Sequence, residues 1–212
     1  MNGYLVERMD AMDTLRNKME YLEELRAIAK LGLNYSKDSH DHARYERLLE
    51  MSAMRYSDLT GLPSNVVEDA LRCELGHITP KVGVNAAVFS GAGQLLMAKR
   101  ADDKRWELPG GWVDVRETPQ EALRRELIEE LGLRVEVKEI IDVFGRMPGA
   151  FGQVHTSCHL LFYCEQELTT PFSYSDEMLE AGFFGIGQVR DWHRDHAQMA
   201  AASEKWWLRR RR

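Results

Sequence analysis

Five residues in the middle of the chain have types and spacing that can do chemistry: Glu117, Arg125, Glu126, Glu129 and Glu130. On an α-helix, Glu126, Glu129 and Glu130 are three and four positions apart, so their carboxylates share adjoining parts of one surface. Like charges at that spacing repel and weaken the helix unless a cation offsets them. Clustered carboxylate oxygens are the donor set that a hard ion such as magnesium prefers. Arg125 is expected on a different side of the helix, where it can tie the cluster to the preceding loop through a carboxylate such as Glu117. Upstream, Gly110-Gly111 has no side chain to keep an ion or a phosphate away from the backbone. The plain alternative is an exposed acidic helix face. Against it stands the full pattern of fixed letters and apolar positions, which ordinary residue frequencies produce by chance less than about once in a million chains of this size.

The helix that must carry these acids is marked at both ends. Thr118 is a good N-cap, Pro119 suits the first helical position, Glu121 completes a capping box, and Gly132 supplies the stop. Leu123, Leu127 and Leu131 recur every four residues as its buried stripe. Around it the texture is of short β runs: 82–89 and 94–98 flanking Ser90-Gly91-Ala92-Gly93, a brief extended piece at 106–108, and strands near 133–144, 157–164 and 181–184. Helices are expected at 188–193 and 198–208. This order predicts the α/β (α+β) class, with a mixed sheet sandwiched between helices.

Residues 12–74 read as helical instead, with Leu15, Met19, Leu22, Leu25 and Ile28 in helical period. Gly32 is expected to stop a first helix, 42–56 to form a second, and 66–75 a third that ends at Gly76. The boundary predicted is therefore a small all-helical domain at 1–76 and a catalytic domain at 77–212. So small a helical unit has little core of its own and needs a partner surface, which makes a homodimer the expected assembly.

A net charge of -6 argues against a surface built throughout to embrace nucleic acid, although local basic sites remain open. No stretch is apolar and long enough to cross a bilayer, and the first residues resemble no signal or transit peptide, so no membrane and a cytoplasmic location are expected. Cys73, Cys158 and Cys164 lack close metal-ligand spacing and read as reduced, buried thiols. The C-terminal Trp206-Trp207-Leu208 and the four arginines after it read as a phosphate grip or, more simply, a solvated tail. Arg100, Lys104 and Arg105 are candidates to contact phosphate, with an exposed charged turn as the alternative. Trp106, Trp112 and Phe151 are candidates to stack on a base, with core packing as the alternative. His155 and His159, alternating on an expected strand, are read as hydrogen-bonded histidines with no assigned role.

The run from Gly111 to Leu133 (Gly, five residues, Glu, seven residues, Arg-Glu, apolar, any, Glu-Glu, any, Gly, apolar) resembles the Nudix box at every position. The resemblance implies the Nudix fold and magnesium-dependent hydrolysis, with manganese as an alternative ion, of a nucleoside diphosphate linked to another group. It implies Glu126, Glu129, Glu130 and the Gly110 carbonyl as metal ligands and Arg125 as the orienting partner of Glu117. Leu22 to Tyr56, Thr79-Pro80-Lys81 and Leu108 to Asp114 are similar to the Nudix subgroup of CDP-choline and ADP-ribose pyrophosphatases with a helical N-terminal domain. Glu177 matches a loop acid of that subgroup and is its candidate general base, with Glu129 or Glu130 as alternatives. The set expected is thus Arg125, Glu129, Glu130 and Glu177 for catalysis, with Arg100, Arg105 and Trp112 for a small-molecule nucleoside diphosphate derivative. The chain departs from the subgroup at Asn85, where a basic residue is expected, and at Arg116, where glycine is usual. Two further readings compete: hydrolysis of nucleoside triphosphates or RNA ends, which the acidic balance disfavours, and a non-catalytic ligand sensor, which has no need of three mutually repelling acids.

Overall fold

In a computed structural model residues 2–74, 78–167 and 171–211 are described. The chain forms two compact units, Met1–Pro80 with Met147–Thr156, and Lys81–Arg146 with Ser157–Arg212. The expected stop at Gly76 and the boundary beside it lie outside the described residues.

The first unit holds helices α1 (Asn2–Tyr35), α2 (Ser39–Thr60) and α3 (Ser64–Cys73). Asp38 caps α2 by accepting hydrogen bonds from the His40 and Asp41 backbone N–H groups, both at 2.9 Å. Gly32, expected to stop the first helix, lies inside α1, which continues to Tyr35. A Cβ at that position would sit 2.3 Å from the ring carbons of Tyr45, so this glycine serves the approach of α2 to α1. Leu22, Ala29, Leu49, Ala53, Tyr56, Val67 and Leu71 make the unit's core. The stripe expected on the first helix shifts accordingly: Ile28 is exposed while Ala29 is fully buried. The side chain of Leu15 lies outside the described residues.

The second unit is built on two three-stranded sheets. In one, β1 (Lys81–Val88) pairs parallel with β5 (Ser157–Gln166), which pairs antiparallel with β4 (Val135–Arg146). In the other, β2 (Leu95–Arg100) lies antiparallel between β3 (Trp106–Glu107) and β6 (Met178–Phe184). Helices α4 (Pro119–Leu131) and α5 (His196–Arg210) complete the unit. The Thr118–Glu121 capping box forms as the sequence predicts. Leu133 begins no strand, because its N–H donates to the Leu127 carbonyl and closes the helix end, so β4 starts at Val135.

Strand β1 shows why both layers are needed. Val84, Ala86 and Val88 pack in one cluster with Leu123, Leu127 and Leu131 of α4. On the opposite face Ala87 joins Met97, Leu161, Met199 and Ala200 beside α5. A strand covered on both sides reads as a nearly continuous apolar run, and the single buried polar side chain within this one, Asn85, marks where the core gives way to a cleft.

Three further expectations fail. The helix at 188–193 is a single 3-10 turn at Ile186–Gln188, after which Val189 is extended at φ -102° and ψ 131°. His155 precedes β5 rather than lying on it. Cys73 is an exposed free thiol, although Cys164 is buried. Among the described residues no helix is long and apolar enough to cross a membrane.

Candidate active site

Helix α4 presents its acids beside the loop that carries Gly110 and Gly111. Arg125 lies on the same side as those acids, not on another. Its Nη1 donates to Glu126 Oε1 at 3.1 Å and to Glu129 Oε2 at 3.0 Å. Its Nε and Nη2 donate to Glu117 at 3.2 and 2.7 Å, and Nη2 also reaches the Trp112 carbonyl at 3.1 Å. One guanidinium thus joins the helix to the loop and partly offsets the repulsion among the carboxylates.

Glu130 is buried, and its Oε2 accepts a hydrogen bond from the Gly110 N–H at 3.1 Å. Burial, and then the charges of Glu107, Glu126 and Glu177, push its carboxyl up to about 9. Glu107, buried beside it, is pushed up to about 7 by burial, against the pull of Arg100. Glu126 is raised too, chiefly by burial. A divalent ion beside these three carboxyls would favour their charged form against the burial that opposes it.

The backbone offers a matching donor. The Pro109 and Gly111 carbonyls accept hydrogen bonds from Ala86 and Val84 of β1, whereas the Gly110 carbonyl between them accepts none among the described residues. Gly110 itself has φ 144°, and a Cβ there would lie 2.1 Å from the Val84 carbonyl oxygen, so only glycine fits. At Gly111 a Cβ would strike the Glu126 carboxylate, at 2.3 Å. The free carbonyl and the acids beside it fit a divalent cation. Among the described residues, however, no three of His, Cys, Asp and Glu are already gathered as a ready-made cage.

A cleft opens next to this loop, lined by Gly110, Gly111, Trp112, Asn85, His159 and Arg194, among others. Its floor is a polar chain. Asp195 takes both Arg146 Nη2 and Nε, at 2.6 and 3.0 Å, in a buried two-pronged ion pair. Arg146 Nη1 lies 2.9 Å from His159 Nε2, and since a guanidinium can only donate, that nitrogen is the acceptor. His159 Nδ1 then carries the proton and donates to Asn85 Oδ1 at 3.3 Å, while Asn85 Nδ2 donates to the Leu108 carbonyl at 3.0 Å. Burial and the adjacent Arg146 hold His159 down to about 4, so this ring stays neutral. His196 is likewise held well below the usual histidine range by burial, and its Nδ1 accepts the Leu108 N–H at 3.0 Å.

The candidates named from sequence are distributed as follows. Glu126, Glu130, Gly110 and Arg125 come together. Glu129 joins them through Arg125 from an exposed position. Glu177 is exposed on the loop before β6, and its charge is felt at Glu126 and Glu130. Trp112 lines the cleft with its ring 5.2 Å from that of His159. Arg100 lines it also, but its guanidinium is taken by Asp102 at 2.7–2.8 Å and by both Glu107 oxygens at 3.1 Å. Arg105 is exposed and absent from the cleft lining. Trp106 packs with the core beside α5, as its plain alternative had it. Glu107, Arg146, Arg194, Asp195 and His196 escaped the sequence reading, whereas His159, read there as a hydrogen-bonded histidine, is one. Arg146 and Asp195 stand 49 positions apart, and no local pattern joins them; Glu107 could have been noticed as an acid inside the short strand that leads to Gly110-Gly111.

Comparison with known proteins bears on this arrangement. The "NUDIX domain" family model matches residues 79–203, and the "UDP-X-like, N-terminal oligomerisation domain" model matches residues 17–71. The chain is 36% identical over 125 residues to "Putative ADP-ribose pyrophosphatase YjhB" of Bacillus subtilis, covering 59% of this chain and 60% of that protein. It is 50% identical over 54 residues to the RNA pyrophosphohydrolase of Pseudomonas aeruginosa, covering 26% of this chain and 33% of that protein. The chain therefore spans less than two thirds of the length of these curated relatives. Among solved structures, a UDP-X diphosphatase is similar over 92% of this chain and 95% of its own, with a TM-score of 0.57 and 23% identity. An ADP-ribose pyrophosphatase from Streptococcus suis is similar over 60% and 91%, with a TM-score of 0.50 and 25% identity.

Proposed function

The chain belongs to the NUDIX domain family, and from that premise we propose that it hydrolyses the pyrophosphate bond of a nucleoside diphosphate linked to another group, of the ADP-ribose or CDP-choline type, with magnesium. One observation carries the reading: Glu130, buried and pushed up to about 9, lies beside a Gly110 carbonyl that accepts no hydrogen bond among the described residues. Acids this costly to ionise fit a site that binds a cation in use. The names of the Bacillus and Streptococcus relatives support ADP-ribose as the first substrate to try.

Glu126, Glu129, Glu130 and the Gly110 carbonyl would hold the ion, which when bound neutralises diphosphate charge and acidifies water. The rest is done by side chains of the chain itself. Arg125 fixes the angle of Glu126 and Glu129 and ties them to Glu117, so that the acids do not spread under their own repulsion. The Gly110 N–H holds Glu130 in one orientation. Glu177, exposed on its loop yet close enough to raise both Glu126 and Glu130, would take a proton from the attacking water. Trp112 offers an aromatic face at the cleft for the base or for the second group. The products would be a nucleoside monophosphate and the phosphorylated remainder.

The test is turnover of ADP-ribose, CDP-choline, nucleoside triphosphates and short triphosphorylated RNA, each with magnesium or with EDTA. Magnesium-dependent release of AMP or CMP is expected. Release of pyrophosphate from RNA or triphosphates in preference would replace the substrate assignment, and no turnover of any compound would replace the enzyme reading with a binder. Glu130→Gln keeps the acceptor for the Gly110 N–H while removing the charge, and should lower kcat by at least about a hundredfold.

A further inference from the structure

Arg194 lines the cleft from the turn ahead of α5 and is half-buried. It makes no hydrogen bond or ion pair with any described residue. The other guanidiniums at this site are engaged: Arg100 by Asp102 and Glu107, Arg146 by Asp195 and His159, Arg125 by Glu117, Glu126 and Glu129. Burial, then the like charges of Arg146 and Arg100, lower the affinity of Arg194 for its proton, with Asp195 and Glu107 opposing weakly. A guanidinium shut partly away from water, beside two others and without a counter-ion, is a costly arrangement that an anion would relieve.

The backbone beneath it is also unusual. Arg194 has φ 46°, in the left-handed region that an arginine adopts at a cost of about 1 kcal/mol or more. The conformation persists because the flanking residues are pinned. The His193 N–H donates to the Trp106 carbonyl at 2.8 Å, His193 Nδ1 lies 2.7 Å from Asp103 Oδ2, and Asp195 is held by Arg146. The turn is therefore fixed on both sides of the one residue whose side chain is left without a partner.

We propose that Arg194 is the cleft's receptor for a phosphoryl oxygen of the substrate and so a specificity-determining residue; the proposal rests on the reading of the site as one for nucleoside diphosphate derivatives. The geometry of the guanidinium suits two oxygens of one phosphoryl group. Glu107, whose charge is felt at both Glu130 and Arg194, places the acids of α4 and this cation within electrostatic reach of one another. A diphosphate lying along the Gly110-Gly111 backbone would meet the acids and their ion at one end and Arg194 at the other.

The test is equilibrium binding to the full chain, by calorimetry with magnesium present, of α,β-methylene adenosine diphosphate, whose bridge resists hydrolysis, and of adenosine, which has no phosphate. Wild type, Arg194→Gln and Arg194→Gly are compared. Glycine relieves the left-handed backbone, so that variant should melt at or above the wild-type temperature and keeps the experiment interpretable if the glutamine variant folds poorly. Both variants should bind the diphosphate analogue about ten- to a hundredfold more weakly, with adenosine affinity unchanged within about threefold. Analogue affinity equal to wild type in the folded glycine variant would overturn the assignment, as would an equal loss for analogue and adenosine. The outcomes also separate this claim from the proposed function. If ADP-ribose and CDP-choline are not hydrolysed but the analogue-specific loss appears, Arg194 stands and the hydrolase reading falls. If wild type hydrolyses them and Arg194→Gly leaves KM unchanged, only Arg194 falls.

Discussion

Glu130 makes stability depend on pH in a direction opposite to that of most carboxylates. Its carboxyl is held at about 9 in the fold against an ordinary 4.5, so the folded state favours the protonated form. The stabilising contribution is present below about pH 4.5 and is lost as pH rises toward 9. In EDTA the melting temperature should therefore fall by several degrees between pH 5 and pH 8.5. Magnesium should restore it most at the alkaline end, and Glu130→Gln should flatten the profile; a melting temperature that rises with pH in EDTA would contradict the assignment. A second residue carries its own signature. Arg116, where the sequence resemblance leads one to expect glycine, sits at φ 80°, in a backbone conformation that favours glycine. Arg116→Gly should raise the melting temperature by about 2–4 °C, the left-handed cost outweighing the added freedom of the unfolded chain.

Elements differ in how much of them the sequence reveals. Helix α4 was readable to within a residue, because its cap, its stop and its leucine stripe are local signals that the fold leaves intact. Leu127→Ala, at a fully buried position between α4 and β1, should cost about 2–5 kcal/mol in urea unfolding. Gly32 shows the opposite case. The sequence offers a stop signal, but packing against Tyr45 overrides it, and only the tertiary approach reveals why. Gly32→Ala should destabilise the protein by about 1–3 kcal/mol, whereas at an ordinary exposed helix position the same change would help. The floor of the cleft was illegible for a related reason. Arg146 ends β4 and Asp195 precedes α5, and nothing in either segment indicates the other. Removing one side of that buried pair with Asp195→Asn should cost about 3–5 kcal/mol, far more than any exposed ion pair of the chain.

At the scale of the whole molecule, the helical unit carries an unfinished surface. Tyr21, Met51 and Met54 are exposed beside Leu22 and Leu25, and together they line an apolar groove of that unit. These residues lie within 17–71, which match an oligomerisation domain. Wild type should sediment as a dimer, and Met51→Glu with Met54→Glu should shift it to a monomer while the helical content is retained; a wild-type monomer at micromolar concentration would refute the assembly. Residues Met147–Thr156, which follow β4 and precede β5, belong to that helical unit rather than to the strands on either side. The modules are thus interleaved along the gene. A chimera that exchanges only residues 1–80 would leave the ten-residue segment Met147–Thr156 of the old helical unit behind, so an exchange that keeps this chain's helical unit whole must move both segments together.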